Sequence, residues 1–191
     1  MAKSSRSAAM DIAYIAVFAA LIIVLAFVAI PVGTAGVPIV LQNAACILAG
    51  LILGSRRGFL SVLLFLVLGL VGLPVLAGGR TTLAALAGPS AGYLLGYVIS
   101  ALLAGLIAYS ALRTSKNMGY RIGMFILAGV VGLLTQYVFG AIGLMIISDL
   151  SISAAAAAQI PFILPDGAKV AVMIIIALGV HQAFPDLARK N

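Results

Sequence analysis

The chain has 191 residues, 64% of them hydrophobic and 8% charged, with a mean hydropathy of +1.30 and a formal net charge of +7. So much apolar surface excludes a soluble globule, and the long unbroken apolar runs exclude a transmembrane β-barrel, whose strands alternate over about ten positions. A spanning helix takes roughly 20 apolar residues, so the length predicts one all-α integral membrane domain, residues 1–191, with six transmembrane helices and short loops. Cys46 is the only cysteine and His181 the only histidine, and Glu and Trp are absent. An intramolecular disulfide is therefore excluded, a His-rich metal site has no material, and acid–base catalysis has very little.

Residues 1–11 form a short polar lead with Lys3 and Arg6. The run 12–30 is too long for a signal-peptide core and lacks a convincing cleavage site, so it reads as a retained first helix. Ala16 and Ala20 make a small-x-x-x-small pair on it, continued by Ala9 and Ala13, and such a stripe lets another helix approach closely. Packing inside the bundle and docking of a partner protein both use such a face. Segment 31–38 (PVGTAGVP) breaks the helix. The second run, 39–54, carries Gln42 and Asn43 in about its first turn, where the amides either meet neighbouring helices or line a pocket. Residues 55–58 (SRRG) are predicted as a tight basic turn.

The third run, 59–76, ends in GLPVLAGGR. Gly72, Pro74, Gly78 and Gly79 predict irregular backbone there, which membrane depth tolerates only where it is buried in protein or lines a cavity. Arg80 follows directly. Gly88, Gly92 and Gly96 then recur every four residues, a smooth face with Tyr93 and Tyr97 alongside, and the fourth run covers 91–112. A basic loop occupies 113–121. The fifth run, 122–147, holds Gln136 and Tyr137 near its middle. A longer connection, 149–165, contains a helix-prone alanine stretch, and the sixth run starts at Asp166 and ends near Phe184.

The charges suggest an orientation. If the N-terminus is cytoplasmic, the inner loops and tails hold Lys3, Arg6, Arg56, Arg57, Arg113, Lys116, Arg121, Arg189 and Lys190, and the outer side holds only Arg80 and Lys169. This positive-inside bias predicts both termini in the cytoplasm and explains the basic net charge with no nucleic-acid partner. Arg80, Asp166, Lys169, Gln42, Asn43 and the broken backbone before Arg80 then share one depth near the outer face. A pocket there would offer a carboxylate, two cations, amides and tyrosines within apolar walls. Such a pocket suits a small, mostly apolar ligand with an anionic end. Arg80 can hold a carboxylate as a fork and Lys169 as a point charge. Asp166 and Lys169, at i and i+3, share a helix face and could meet each other or a common ligand. The alternative is that Asp166 caps the helix, Lys169 snorkels to water and Arg80 merely anchors at the interface.

VPIVLQN, GLPVLAGGR, AGPSAGYLLG and PFILPDGAK together resemble the signature stretches of the BioY family, the biotin-specific substrate-binding S components of energy-coupling factor (ECF) transporters. The resemblance covers nearly the whole chain. It departs at Ser90 and Ala91, which replace Thr and Gly of the family's GPTGGY, and at Pro165, which stands where Gly commonly precedes the Asp. It implies an S-component-like bundle in the cell membrane of a prokaryote, with biotin captured on the outer side and no cofactor. Its implied site is Asp166 and Lys169 on the ligand's polar groups, with Arg80, Asn43, Gln42, Tyr93 and Gly79 around them. It further implies that Ala16 and Ala20 face the transmembrane T component, that two ATPase subunits complete the complex, and that the S component topples to release its ligand. The chain has no G-x-x-x-x-G-K-[ST] phosphate loop, which fits that division of labour. Other readings are an S component for another vitamin and a structural or pore-forming protein. An intramembrane phosphotransferase needs further acidic metal ligands after Asp166, where only Asp186 follows.

Overall fold

A computed structural model describes residues 2–30 and 37–187, with side chains described from residue 8 and excepting Ile30. Among the described residues the regular structure is helical, apart from one two-residue ribbon. The elements are α1 (Ala2–Ala26), β1 (Ala29–Ile30), β2 (Ile39–Val40), α2 (Gln42–Leu70), α3 (Thr82–Leu86), α4 (Ala91–Thr114), α5 (Met118–Ile147), α6 (Ile152–Ala157) and α7 (Ile160–Ala183). Five helical stretches among the described residues are long and apolar enough to cross a membrane. Large apolar side chains such as Leu164, Ile146, Ile152 and Ile175 stand exposed around the outside. A soluble fold does not leave such a belt uncovered; a lipid-embedded one does.

α2 is not one rod. Gly54 has φ +81° and ψ 179°, a conformation open to glycine and strained for any side chain. Beyond it the chain doubles back: a Cβ built on Gly58 would lie 2.7 Å from the Gly50 Cα, whereas eight residues along a continuous helix span about 12 Å. The reversal is therefore carried by Gly54 alone, and the predicted turn at 55–58 is already helical. Gly105 of α4 backs directly onto this reversal. The second arm ends at Leu70, six residues short of the predicted 76.

α2 lies centrally, packed against α1, α4, α5 and α7. The α4–α5 seam is built on glycine. A Cβ on Gly92 would meet the Phe139 carbonyl and sit 2.8 Å from Gly143 Cα, and one on Gly96 would sit 2.9 Å from Gln136 Cα. Gly88 lies in the turn before α4 and takes no part. The basic loop shrinks to residues 115–117. Asn117 caps α5 by accepting from the Tyr120 N–H at 3.1 Å, and Arg121 Nε donates to the Ser115 carbonyl at 2.7 Å.

On α1, Ala19, Ile22 and Ala26 are buried while Ala9, Ala13, Ala16 and Ala20 are exposed. The small-residue stripe therefore faces away from the bundle. At the opposite end from Gly54, β1 and β2 pair antiparallel, Ala29 with Val40 and Ile30 with Ile39. Most of the predicted loop 31–38 between them, residues 31–36, lies outside the described residues.

Candidate ligand-binding site

The first arm of α2 starts at Gln42, and both amides of its first turn are used. Gln42 Nε2 donates to the Val75 carbonyl at 2.9 Å and the Ile22 carbonyl at 3.3 Å, tying α1 and the irregular segment after α2 to this end. Gln42 is thus largely a structural brace, although it touches one cavity. Asn43 is 7% exposed and lines the other. The irregular backbone expected around GLPVLAGGR is present: Gly72, Gly78 and Gly79 all have positive φ, and Leu76 N–H bonds the Arg80 carbonyl at 3.0 Å to close a tight loop. Gly79 is exposed and a Cβ there would meet nothing within 4 Å. Its requirement is conformational, and it belongs to neither cavity wall. The loop instead aims Arg80, whose Nε donates to the Ala77 carbonyl at 3.2 Å and whose Nη2 reaches Ser90 Oγ at 3.4 Å.

Asp166 does not begin its helix. α7 starts at Ile160 with Pro161 in its first turn, and Asp166 lies six residues in, one after Pro165. The capping explanation for Asp166 is removed: a residue so far inside the helix has no free N–H to cap. A proline in the first turn starts the helix earlier than charge alone suggested, since its fixed φ suits that position. Asp166 is 3% exposed, forms an ion pair with Lys169 and accepts from Tyr137 OH at 3.0 Å. Lys169 Nζ also donates to the Val40 carbonyl at 2.6 Å and Asn43 Oδ1 at 3.0 Å. Lys169 therefore does not snorkel; it crosses from α7 to β2 and α2.

Two small, partly open hollows lie at this end. Asn43, Gln136, Tyr137, Phe162 and Asp166 line one; Gln42, Leu76, Arg80 and Ser90 line the other; Val37, Pro38, Val40, Tyr93 and Tyr97 wall both. Tyr93 OH donates to Gln159 Oε1 at 2.7 Å, fastening α4 to the α6–α7 junction beside the cavity. Tyr97, Gln136, Tyr137, Gln159 and Phe162 were not singled out as site residues from sequence. The legible signal was polarity inside apolar helices: a buried amide at Gln136 in the middle of α5 is costly in a membrane unless it has work to do. Gln136 Nε2 is held by the Asn43 carbonyl at 3.0 Å and Ser100 Oγ at 2.9 Å, while its Oε1 is buried without a partner among the described residues.

An apolar helical bundle with a carboxylate at one end of a divided hollow and a guanidinium at the other defines a membrane-embedded binding protein for a small amphipathic ligand. The sequence model of the BioY family matches residues 1–186, and the chain belongs to that family. It is 40% identical over 185 residues to the biotin transporter BioY of Rhodobacter capsulatus, covering 92% of this chain and 95% of that one. It is 33% identical over 182 residues to the biotin transporter BioY of Rhizobium etli, covering 94% and 97%. Its fold matches a crystal structure at 2.1 Å of the S-component for biotin from an ECF-type ABC transporter, with a TM-score of 0.82, 32% identity and 93% of each chain covered. These relatives are transporters, and the family is not one of enzymes.

Proposed function

We propose that the chain binds biotin in the divided cavity and serves as the membrane-embedded S component of an ECF-type transporter. Biotin pairs a planar ureido head with an aliphatic carboxylate tail. The observation that supports this reading is the shared wall: Asp166 and Asn43 stand on one side of Tyr93 and Tyr97, and Arg80 stands on the other. The head would lie against Asp166 and Asn43, and the tail would run past the tyrosines to Arg80. Two of the five guanidinium N–H groups are engaged within the protein, which leaves donors for a carboxylate. Binding takes no cofactor.

In the same reading the two arms of α2 count separately, giving six crossings with α1, α4, α5 and α7. Both termini lie in the cytoplasm and the cavity faces outside, as the charge distribution argues. Lipid covers the exposed apolar belt, and nucleic acid is no partner. The exposed Ala16 and Ala20 stripe meets the transmembrane T component, whose complex draws on two ATPase subunits. The experiment is equilibrium binding of labelled biotin to the purified chain in detergent, competed with riboflavin and thiamine. Displacement by unlabelled biotin alone supports the reading; displacement by another vitamin, or no binding, overturns it. Replacing Ala16 and Ala20 with Leu should leave this binding intact and abolish uptake when the partner subunits are co-expressed.

A further inference from the structure

α1 is fastened to the bundle differently along its two halves. Its later half buries Ala19, Ile22 and Ala26, offers the Ile22 carbonyl to Gln42 and leads into the ribbon with β2. From Ala8 to Phe18 no residue is buried. The face turned to the bundle there consists of Asp11, Tyr14, Ile15 and Phe18, each only partly covered. On α2 this face meets a buried cation, Arg57, three residues past the Gly54 reversal. Arg57 pairs with Asp11 at 2.7 Å, and its guanidinium carbon lies 5.8 Å from the centre of the Tyr14 ring. Asp11 and Tyr14, at i and i+3, thus grip one guanidinium from one side of the helix.

Asp11 is one of only four acidic residues in the chain, so its use here asks for a reason. Stability is a weak one, because its side chain is 37% exposed and such pairs contribute little. Its stronger effect is on direction. A helix turns about 100° per residue, so Ala9, Ala13, Ala16 and Ala20 stand about 140–180° round the axis from Asp11. All four are exposed. Any rotation of α1 that frees the carboxylate from Arg57 carries the small-residue stripe round by the same angle.

We infer that the contact of Arg57 with Asp11 and Tyr14 is a positioning clamp, which sets the rotation of α1 and so aims the Ala16 and Ala20 face at the membrane partner. This rests on the docking reading above and adds residues that act through the stripe. The clamp lies at the Gly54 end, away from the hollows beside Asp166, so it governs uptake and leaves ligand capture alone.

Three measurements on the full chain test the clamp. They are biotin binding in detergent, biotin uptake with the partner subunits co-expressed, and the distance between nitroxide labels at Ala9→Cys and Lys116→Cys in a Cys46→Ala background. Asp11→Arg sets like charges together, and uptake should fall about tenfold while binding stays within about twofold. Exchanging the charges, with Asp11→Arg and Arg57→Asp together, should restore uptake to within about threefold of wild type. Asp11→Asn, which carries the test if the charged variants fail to insert, should lower uptake about threefold and broaden the label distance. Uptake that merely follows binding in every variant would reduce the clamp to a fold contact and overturn the inference. So would an exchanged pair that binds biotin without regaining uptake, or an unchanged label distance in Asp11→Asn. Wild-type protein that takes up no biotin, or Leu at Ala16 and Ala20 that spares uptake, overturns the docking reading instead.

Discussion

The two ends of α7 use the same few kinds of polar side chain to opposite effect. His181 lies fifteen residues beyond Asp166, about 22 Å along the helix. There, His181 Nε2 sits 2.9 Å from the Leu51 carbonyl, and Tyr109 OH donates to the Ile52 carbonyl at 2.7 Å. Those carbonyls lose their helical partners because Gly54 ends the first arm of α2, and side chains from α7 and α4 take over. Edge contacts of the His181 ring with Tyr109 and Phe125 close the space. Nearby, Arg57 is buried and pairs with Asp11 at 2.7 Å, with the Tyr14 ring beside it. At the Asp166 end, hydrogen bonds orient the polar groups but leave hollows between them. Polar groups at the first end complete a fold; at the second they border the hollows where we propose that biotin binds.

Substitutions at the two ends should separate these roles. The largest effect is expected from Asp166→Asn. It removes the charge, turns one acceptor oxygen into a donor and leaves the Lys169 ammonium without its counter-charge, and biotin affinity should fall roughly 100-fold, about 3 kcal/mol, in equilibrium binding. Arg80→Ala should cost about tenfold for biotin and little for biotinamide, whose tail is uncharged. Equal losses for both ligands would place Arg80 outside the carboxylate end. His181→Ala should lower stability by about 1–3 kcal/mol, since it leaves the Leu51 carbonyl buried without its partner. A thermal melt in detergent should show the drop, while the biotin affinity stays within about twofold. Asp11→Asn is the mildest: the carboxylate is 37% exposed, so the change should stay below about 1 kcal/mol. If either of the last two variants lost biotin binding, the two ends would not be independent.

The runs of apolar residues and the turns between them were readable because membrane helices must satisfy their own backbone, which makes hydropathy a direct record of the fold. The glycine break before Arg80 and the glycine face of α4 were readable for a related reason, since few residues tolerate those conformations or contacts. The reversal at Gly54 was less legible. The adjacent SRRG looked like the turn, but Arg57 turned out to be a buried helical residue with a partner on α1. Asp166 and Lys169 stood out as rare charges, although their partners did not. Nothing in single-chain spacing links Lys169 to Val40 or Tyr137 to Asp166, because those contacts depend on how α2, α5 and α7 cross. Neutral polar residues such as Gln159 carry the weakest signal, being common at any helix start.

With biotin beside Asn43, as proposed, the reversal at Gly54 would also set how deep the ligand lies. The first arm of α2, residues 42–53, rises only about 18 Å at 1.5 Å per residue. The hydrocarbon slab is about 30 Å thick. In the proposed orientation, measured from the end that carries Arg56 and Arg57, Asn43 would stop well short of the far surface, and the ribbon of Val40 and Ile39 would make up the missing thickness above it. That would be hydrophobic mismatch within one protein: a short rod among longer ones would leave a well sunk in the membrane, with an apolar plug over it.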